Sequence, residues 1–246
     1  MQNNIPLRYT GFGLRENVRL DAGATVSGQD FALGSVVNST LSGSVTLPSG
    51  YTLQSKDLSL TLPPGSRKTL FTDYSAGTSF SYAAPVIPQA RLSLVLTALR
   101  NGAFAAVSKT GLAPDTTSVT LTLPEAPQSL SPADQTANVT RATPFSWTAY
   151  PQGVFVLRVK KSDAAGTPYR LDVVTGETSA TIPDLSALGM SLQGNTSFSW
   201  VVTGVAPLAS VDDAVTGLKV SDLVSYRTDG SIGSSAWRAF TTTSSP

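Results

Sequence analysis

The chain contains no cysteine and no histidine. The first absence removes thiol catalysis, disulfides and thiolate–zinc sites. The second removes imidazole metal ligands and every triad that uses histidine as base. Redox compartment stays open, since many secreted bacterial proteins also lack cysteine. Charge is scarce too: only 13% of residues are charged and the formal net charge is +1. No electrostatic argument therefore points to nucleic acid or to an anionic membrane surface. Arg158, Lys160 and Lys161 come nearest to a basic patch, and alternation along one strand reads as a solvated outer face. No run approaches the roughly 18 apolar residues of a membrane helix, and helical periodicity is almost missing. Residues 1–6 show neither the basic start nor the apolar stretch of a secretory leader. The expectation is a protein not exported by that route, or one whose leader lies outside this sequence.

What is present suits strands and turns. Hydrophobic residues make up 41% of 246 positions, with 20 glycines and 16 prolines, and serine and threonine fill the polar role. Alternating runs around Val45, Leu58–Leu62, Leu92–Leu96, Val119–Leu123, Val154–Val159 and Leu171–Val174 predict strands with one buried face. Turn-formers separate them: Pro48-Ser49-Gly50, Pro63-Pro64-Gly65, Asn101-Gly102, Gly166 and Gly176. Asn101-Gly102 between two apolar runs predicts a type I′ hairpin. One short helical turn is expected after Asp184, which would cap it, with Gly189 ending it. Closely spaced strands without helices predict an all-β fold of two tandem antiparallel β-sandwich domains, immunoglobulin-like or prealbumin-like. Pro124, Pro127 and Pro132 follow a strong strand and mark a stiff joint, which divides the chain near residue 125. Three tryptophans stand in alternating runs, Phe145-Ser146-Trp147, Phe198-Ser199-Trp200 and Trp237-Arg238-Ala239-Phe240, and each is expected on an inward face.

Residues 128–243 resemble a fibronectin type III-like domain of the bacterial extracellular kind. The likeness rests on Ser131-Pro132, Phe145-Ser146-Trp147, Phe155 to Val159, Ser179 to Ile182 with Leu185, Leu192, Phe198 to Val202, and Ser235 to Thr242. It implies a first tryptophan packed between two sheets and a final strand carrying the serine, tryptophan and phenylalanine. Two departures stand out. Phe198 occupies a position where the family usually has tyrosine, which keeps the packing and loses a hydroxyl bond. A segment, 204–234, replaces an ordinary hairpin loop. Residues 38–124 resemble the transthyretin-like, carboxypeptidase-regulatory type of β-sandwich through Leu41 to Gly50 and Gly111 to Asp115 with Val119 to Leu123. That resemblance implies a non-catalytic accessory module. An echo between 18–33 and 107–123 makes residues 1–37 either strands of the first sandwich or the tail of a preceding module.

Candidate sites follow from residue type. The 204–234 insertion holds Asp212, Asp213, Asp222 and Asp229, the densest carboxylates in the chain. They are either oxygen ligands for calcium, without the twelve-residue loop spacing, or solvated turn and cap residues. Tyr74 and Asp73, within an aromatic stretch from Phe71 to Tyr82, offer a sugar-stacking ring and a hydroxyl acceptor. The competing reading packs Phe71, Phe80 and Tyr82 across a hairpin and leaves Tyr74 least explained. With 3 Glu and 13 Asp, most beside turn-formers, no glycosidase pair is apparent. Gly11-Phe12-Gly13 lacks the strand-to-helix setting of a phosphate loop. Sequons at Asn38, Asn138 and Asn195 matter only in a glycosylating host.

The expectation is a non-catalytic extracellular or cell-surface protein of bacterial type, a structural or adhesive module of a kind that a lipoprotein can carry. Its partners would be other surface or extracellular proteins, met through loops and strand edges, with no cofactor other than calcium. The alternative is a carbohydrate-binding accessory region of a larger secreted enzyme, with polysaccharide as partner. Carboxylate-only catalysis is the third and least supported option.

Overall fold

The structure, a computed structural model, describes residues 5–13, 22–23, 25, 27, 32–63, 65–161, 169–216 and 228–244. Almost every element is a strand. The first part holds β1 (Gly11–Phe12), β2 (Gly34–Ser35), β3 (Val37–Thr46), β4 (Thr52–Leu62), β5 (Ser66–Asp73), β6 (Ser79–Val86), β7 (Arg91–Arg100), β8 (Ala103–Leu112) and β9 (Val119–Thr122). Beyond the proline joint lie β10 (Ser129–Ser131), β11 (Thr136–Val139), β12 (Phe145–Trp147), β13 (Val154–Lys161), β14 (Arg170–Thr175) and β15 (Ser179–Ala180). They are followed by β16 (Ser197–Ala206), a short helix α1 (Val211–Thr216), β17 (Gly230–Ser234) and β18 (Arg238–Thr242). Each of the six alternating runs overlaps one of these strands, with Leu123 just past the end of β9. Among the described residues no helix is long and apolar enough to cross a membrane.

Two sandwiches result. In the first, β6-β3-β9 faces β5-β4-β7-β8; in the second, β10-β12-β15 faces β14-β13-β16-β18, with β11 alongside β18. Alternation decides which side chains point inward. Leu41 and Val45 of β3, Leu58 and Leu60 of β4, Phe80 and Tyr82 of β6, and Leu92, Leu94 and Leu96 of β7 fill the first core. Phe145, Trp147, Phe155, Leu157, Phe198, Trp200, Val202 and Phe240 fill the second. Its rings pack mostly edge to face, as Phe145 does on Trp200 with centroids 5.1 Å apart. Ile5 and Phe12 pack against the first core, and the backbone of Tyr9 exchanges two hydrogen bonds with the Asn38 side chain. The echo over 18–33 falls largely outside the described residues.

Two expectations need correction. Trp237 does not face inward: it is 45% exposed, while Trp147 and Trp200 are 2% and 0% exposed. It precedes β18 and stands three positions from the inward Phe240, and an odd spacing along a strand changes face. Its ring lies under the Lys160 ammonium, 4.1 Å away, on the outer surface. Nor is the pairing wholly antiparallel, because β3 runs parallel to β9 and β11 parallel to β18. The Asn101-Gly102 turn forms as expected, with φ of 48° and 81°. The turn after Asp184 forms too: Ser186–Leu188 is a single 3₁₀ turn, the Ser186 amide donates to Asp184, and Gly189 closes it with φ 73°.

The parallel pair leaves one position no room. A Cβ at Gly43 would sit 2.0 Å from the Val119 carbonyl oxygen and 2.8 Å from the Phe80 ring. Gly43→Ala must push β3 and β9 apart, and overpacking of this kind costs about 1–3 kcal/mol. Urea denaturation is expected to show a loss at the upper end of that range, with the denaturant slope unchanged.

Candidate functional site

Two regions carry the polar chemistry: the loop after β5 and the seam between the sandwiches. Lys56 continues the inward parity of Leu58 and Leu60, so its side chain enters the first sandwich and is 0% exposed. Asp73 is its cross-strand partner on β5, with Nζ 3.1 Å from Oδ2. The ammonium also donates to the Ser75 and Gly77 carbonyls at 2.6 and 3.2 Å. Asp73 accepts from the Tyr82 hydroxyl at 2.7 Å and from the Ser75 amide at 2.8 Å. Burial alone would raise the Asp73 carboxyl. Hydrogen bonds from Tyr82, Ser75 and Lys56 outweigh it and hold the carboxyl below its usual 3.8. Burial, and then the Asp73 bond, push the Tyr82 phenol up. Asp73 is thus an interior clamp under the loop, not an outward acceptor for a sugar hydroxyl. Phe71, Phe80 and Tyr82 pack together, as the hairpin reading expected, with centroids 4.9 and 5.3 Å apart. Tyr74 rides the clamped loop and is 45% exposed.

The aspartates of the insertion do not converge. Asp212 and Asp213 lie exposed in the first turn of α1, where the Ser210 hydroxyl accepts from the Asp213 amide. Asp222 lies outside the described residues. Asp229 pairs with Lys109 and accepts from the amide and hydroxyl of Thr110 at 2.6 and 2.8 Å. Its carboxyl is held low because Lys109 and Thr110 outweigh the effect of burial. Among the described residues no three carboxylates stand together as a metal site. Of the basic patch, Arg158 pairs with Asp172, which Arg170 also reaches, and Lys160 covers Trp237.

The end of the insertion does something the sequence did not suggest. β17 pairs with β16 on one side and with β8 on the other, each pairing antiparallel. Ile232 stands opposite Val205 in one ladder and Ala106 in the other. One sheet of ten strands therefore runs through both sandwiches. The seam is dense. A Cβ at Gly233 would meet the Ala126 Cα and the Tyr150 ring at 2.8 Å, and the same ring lies against Gly204. The Ala126 amide donates to the Tyr51 hydroxyl at 3.1 Å, and the Ser108 hydroxyl donates to the Thr228 carbonyl at 2.6 Å. Arg100 pairs with Glu125 at 2.6 Å and covers the Tyr51 ring. Sequence reasoning missed Lys56 and β17. The first had a signal, a lysine in register with inward leucines; the second had only Ile232 among small residues.

Removing one member of a buried pair strands the other charge, at a cost of about 3–5 kcal/mol. Lys56→Met is expected to lose that much stability at neutral pH, and Lys56→Met with Asp73→Leu to regain part of it. Because the folded Asp73 carboxyl is depressed, its contribution is whole above 3.8 and is lost as pH falls towards its folded value. A pH series of urea denaturations checks this: Asp73→Asn should show a flatter acid limb than the parent.

No protein-family profile matches the chain, and no curated protein does. Among solved structures it is similar to a DUF3823 family protein from Parabacteroides merdae. That likeness has 17% sequence identity and a TM-score of 0.22, over 68% of this chain and 90% of that one.

Proposed function

We propose that the chain is a non-catalytic structural part of an extracellular or cell-surface protein of bacterial type. Its two β-sandwiches act as one stiff spacer that presents loops and strand edges to other proteins. The observation that carries this reading is β17, the strand shared between the sheets. A flexible linker between modules would leave their relation free; a continuous ladder with a packed tyrosine beneath it fixes that relation. Strand order supports the modular reading. Three strands, β10-β12-β15, over β14-β13-β16-β18, with Trp147 between them, favour the fibronectin type III-like identification of 128–243. Three strands over four, closed by parallel β3 and β9, favour the transthyretin-like one for 38–124. The carboxylates support the non-catalytic part: Asp73, Asp172 and Asp229 are each engaged by a cation.

Scanning calorimetry tests the shared strand. The parent protein is expected to unfold in one cooperative transition. Ile232→Pro removes a ladder donor from a central strand. It is expected to split the transition in two and to enlarge the radius of gyration in X-ray scattering. Two independent transitions in the parent would overturn the spacer reading.

A further inference from the structure

A cleft of about 430 Å³ opens at the seam, between the β7–β8 turn and the stretches around residues 128 and 236. Arg100, Asn101, Gln128, Ser129, Ser235 and Arg238 supply its polar lining, and no carboxylate side chain is among the residues that line it. Of the two guanidiniums that line it, Arg100 is paired with Glu125, so the local excess of positive charge rests on Arg238. We propose that this cleft binds a small organic carboxylate, which goes beyond the spacer reading and names a ligand class for the seam.

The two arginines differ in what compensates them. Arg100 is paired with Glu125, which also accepts from the Gln128 amide at 2.6 Å. Arg238 has only neutral partners: Nη1 donates to the Leu130 and Pro132 carbonyls at 3.2 and 3.1 Å, and among the described residues no carboxylate pairs with it. A guanidinium carries five donors in a planar fork, and these bonds engage one nitrogen, so Nε and Nη2 keep the geometry that suits a carboxylate. The two carbonyl bonds also hold the side chain in place, which lowers the ordering cost of binding. Beneath it, the Ser129 and Ser235 hydroxyls bond to each other at 3.0 Å, and Ser235 accepts from the Val202 amide at 3.2 Å. The floor is therefore satisfied and rigid. Asn101 offers its amide group, and Gln128, whose amide nitrogen donates to Glu125, its amide oxygen, to hydroxyls or peptide groups next to the carboxylate. The volume falls within the range of small-ligand pockets, roughly 300–1,000 Å³. An acidic sugar and a peptide C-terminus both present this chemistry.

Titration calorimetry with two matched pairs of probes decides the matter: glucuronate against glucose, and N-acetyl-Ala-Ala with a free against an amidated C-terminus. Saturable binding is expected for a carboxylate probe and not for its neutral counterpart, and the responding pair identifies the source. Arg238→Gln is expected to weaken that binding about tenfold or more, while Lys160→Gln, on the outer face, leaves it unchanged. Should Arg238→Gln melt early, Arg100→Gln and Gln128→Ala take its place, with a severalfold loss expected from each. Equal binding of the neutral probes, no saturation by either carboxylate, or full binding in all the cleft variants would overturn the proposal.

Discussion

A sheet edge exposes a row of unpaired amide and carbonyl groups, and β8 would be such an edge if β17 did not lie along it. The strand that covers it belongs to the other sandwich, where it already pairs with β16. That double pairing is the constraint on which the rest of the structure depends. It satisfies two edges with five residues and fixes the angle between the modules through backbone geometry, which substitution of surface side chains barely alters.

The surrounding residues follow from it. Two ladders meeting on one short strand bring the joint at Ala126 close to β17, so position 233 has room only for glycine. Tyr150 fills the space that Gly204 and Gly233 leave, and burial pushes its phenol up. A serine, Ser235, follows directly and ties the chain to Ser129 beyond the joint. The cleft lined by Arg100 and Arg238 is a by-product of the same closure. It lies where the β7–β8 turn approaches the chain leaving β17, with Gly102 next to Ala236.

Much of the fold was legible in the sequence because one-sided strands write their burial in alternation. Phe198, Trp200 and Val202 declare an inward face, and Asn101-Gly102 declares a turn. What alternation cannot carry is partner choice. β17 reads Gly-Ser-Ile-Gly-Ser, a run with a single large apolar residue, so nothing in it announces a strand buried between two others. Its small residues are there because neighbouring backbones and the Tyr150 ring come close, a tertiary fact that composition registers only as a loop. Trp237 failed for the opposite reason. Its place in an alternating run suggested an inward face, yet its odd spacing from Phe240 places it outside. The candidate sites were less legible. Asp229 looked like a ligand among aspartates, and its partners Lys109 and Thr110 lie about 120 positions earlier in the chain.

The scarcity of charge acquires a meaning in this setting. Where so few residues are charged, their positions are informative, and several lie at joints: Lys56 with Asp73 under a loop, Lys109 with Asp229 at the entry to β17, Arg100 with Glu125 at the seam. The two more exposed of these, Lys109 with Asp229 and Arg100 with Glu125, contribute about 0–1 kcal/mol each, too little to hold two sandwiches together. Backbone ladders and apolar burial do that. What a charge pair adds is direction, since a misplaced strand or loop would leave an ion unpaired while apolar contacts tolerate a shift. Charge thus serves geometry, and Arg238 is the exception at these joints: its guanidinium bonds to two carbonyls, and among the described residues no carboxylate pairs with it. That exception is why the cleft, and not the aspartate-rich insertion, is the place to look for a ligand.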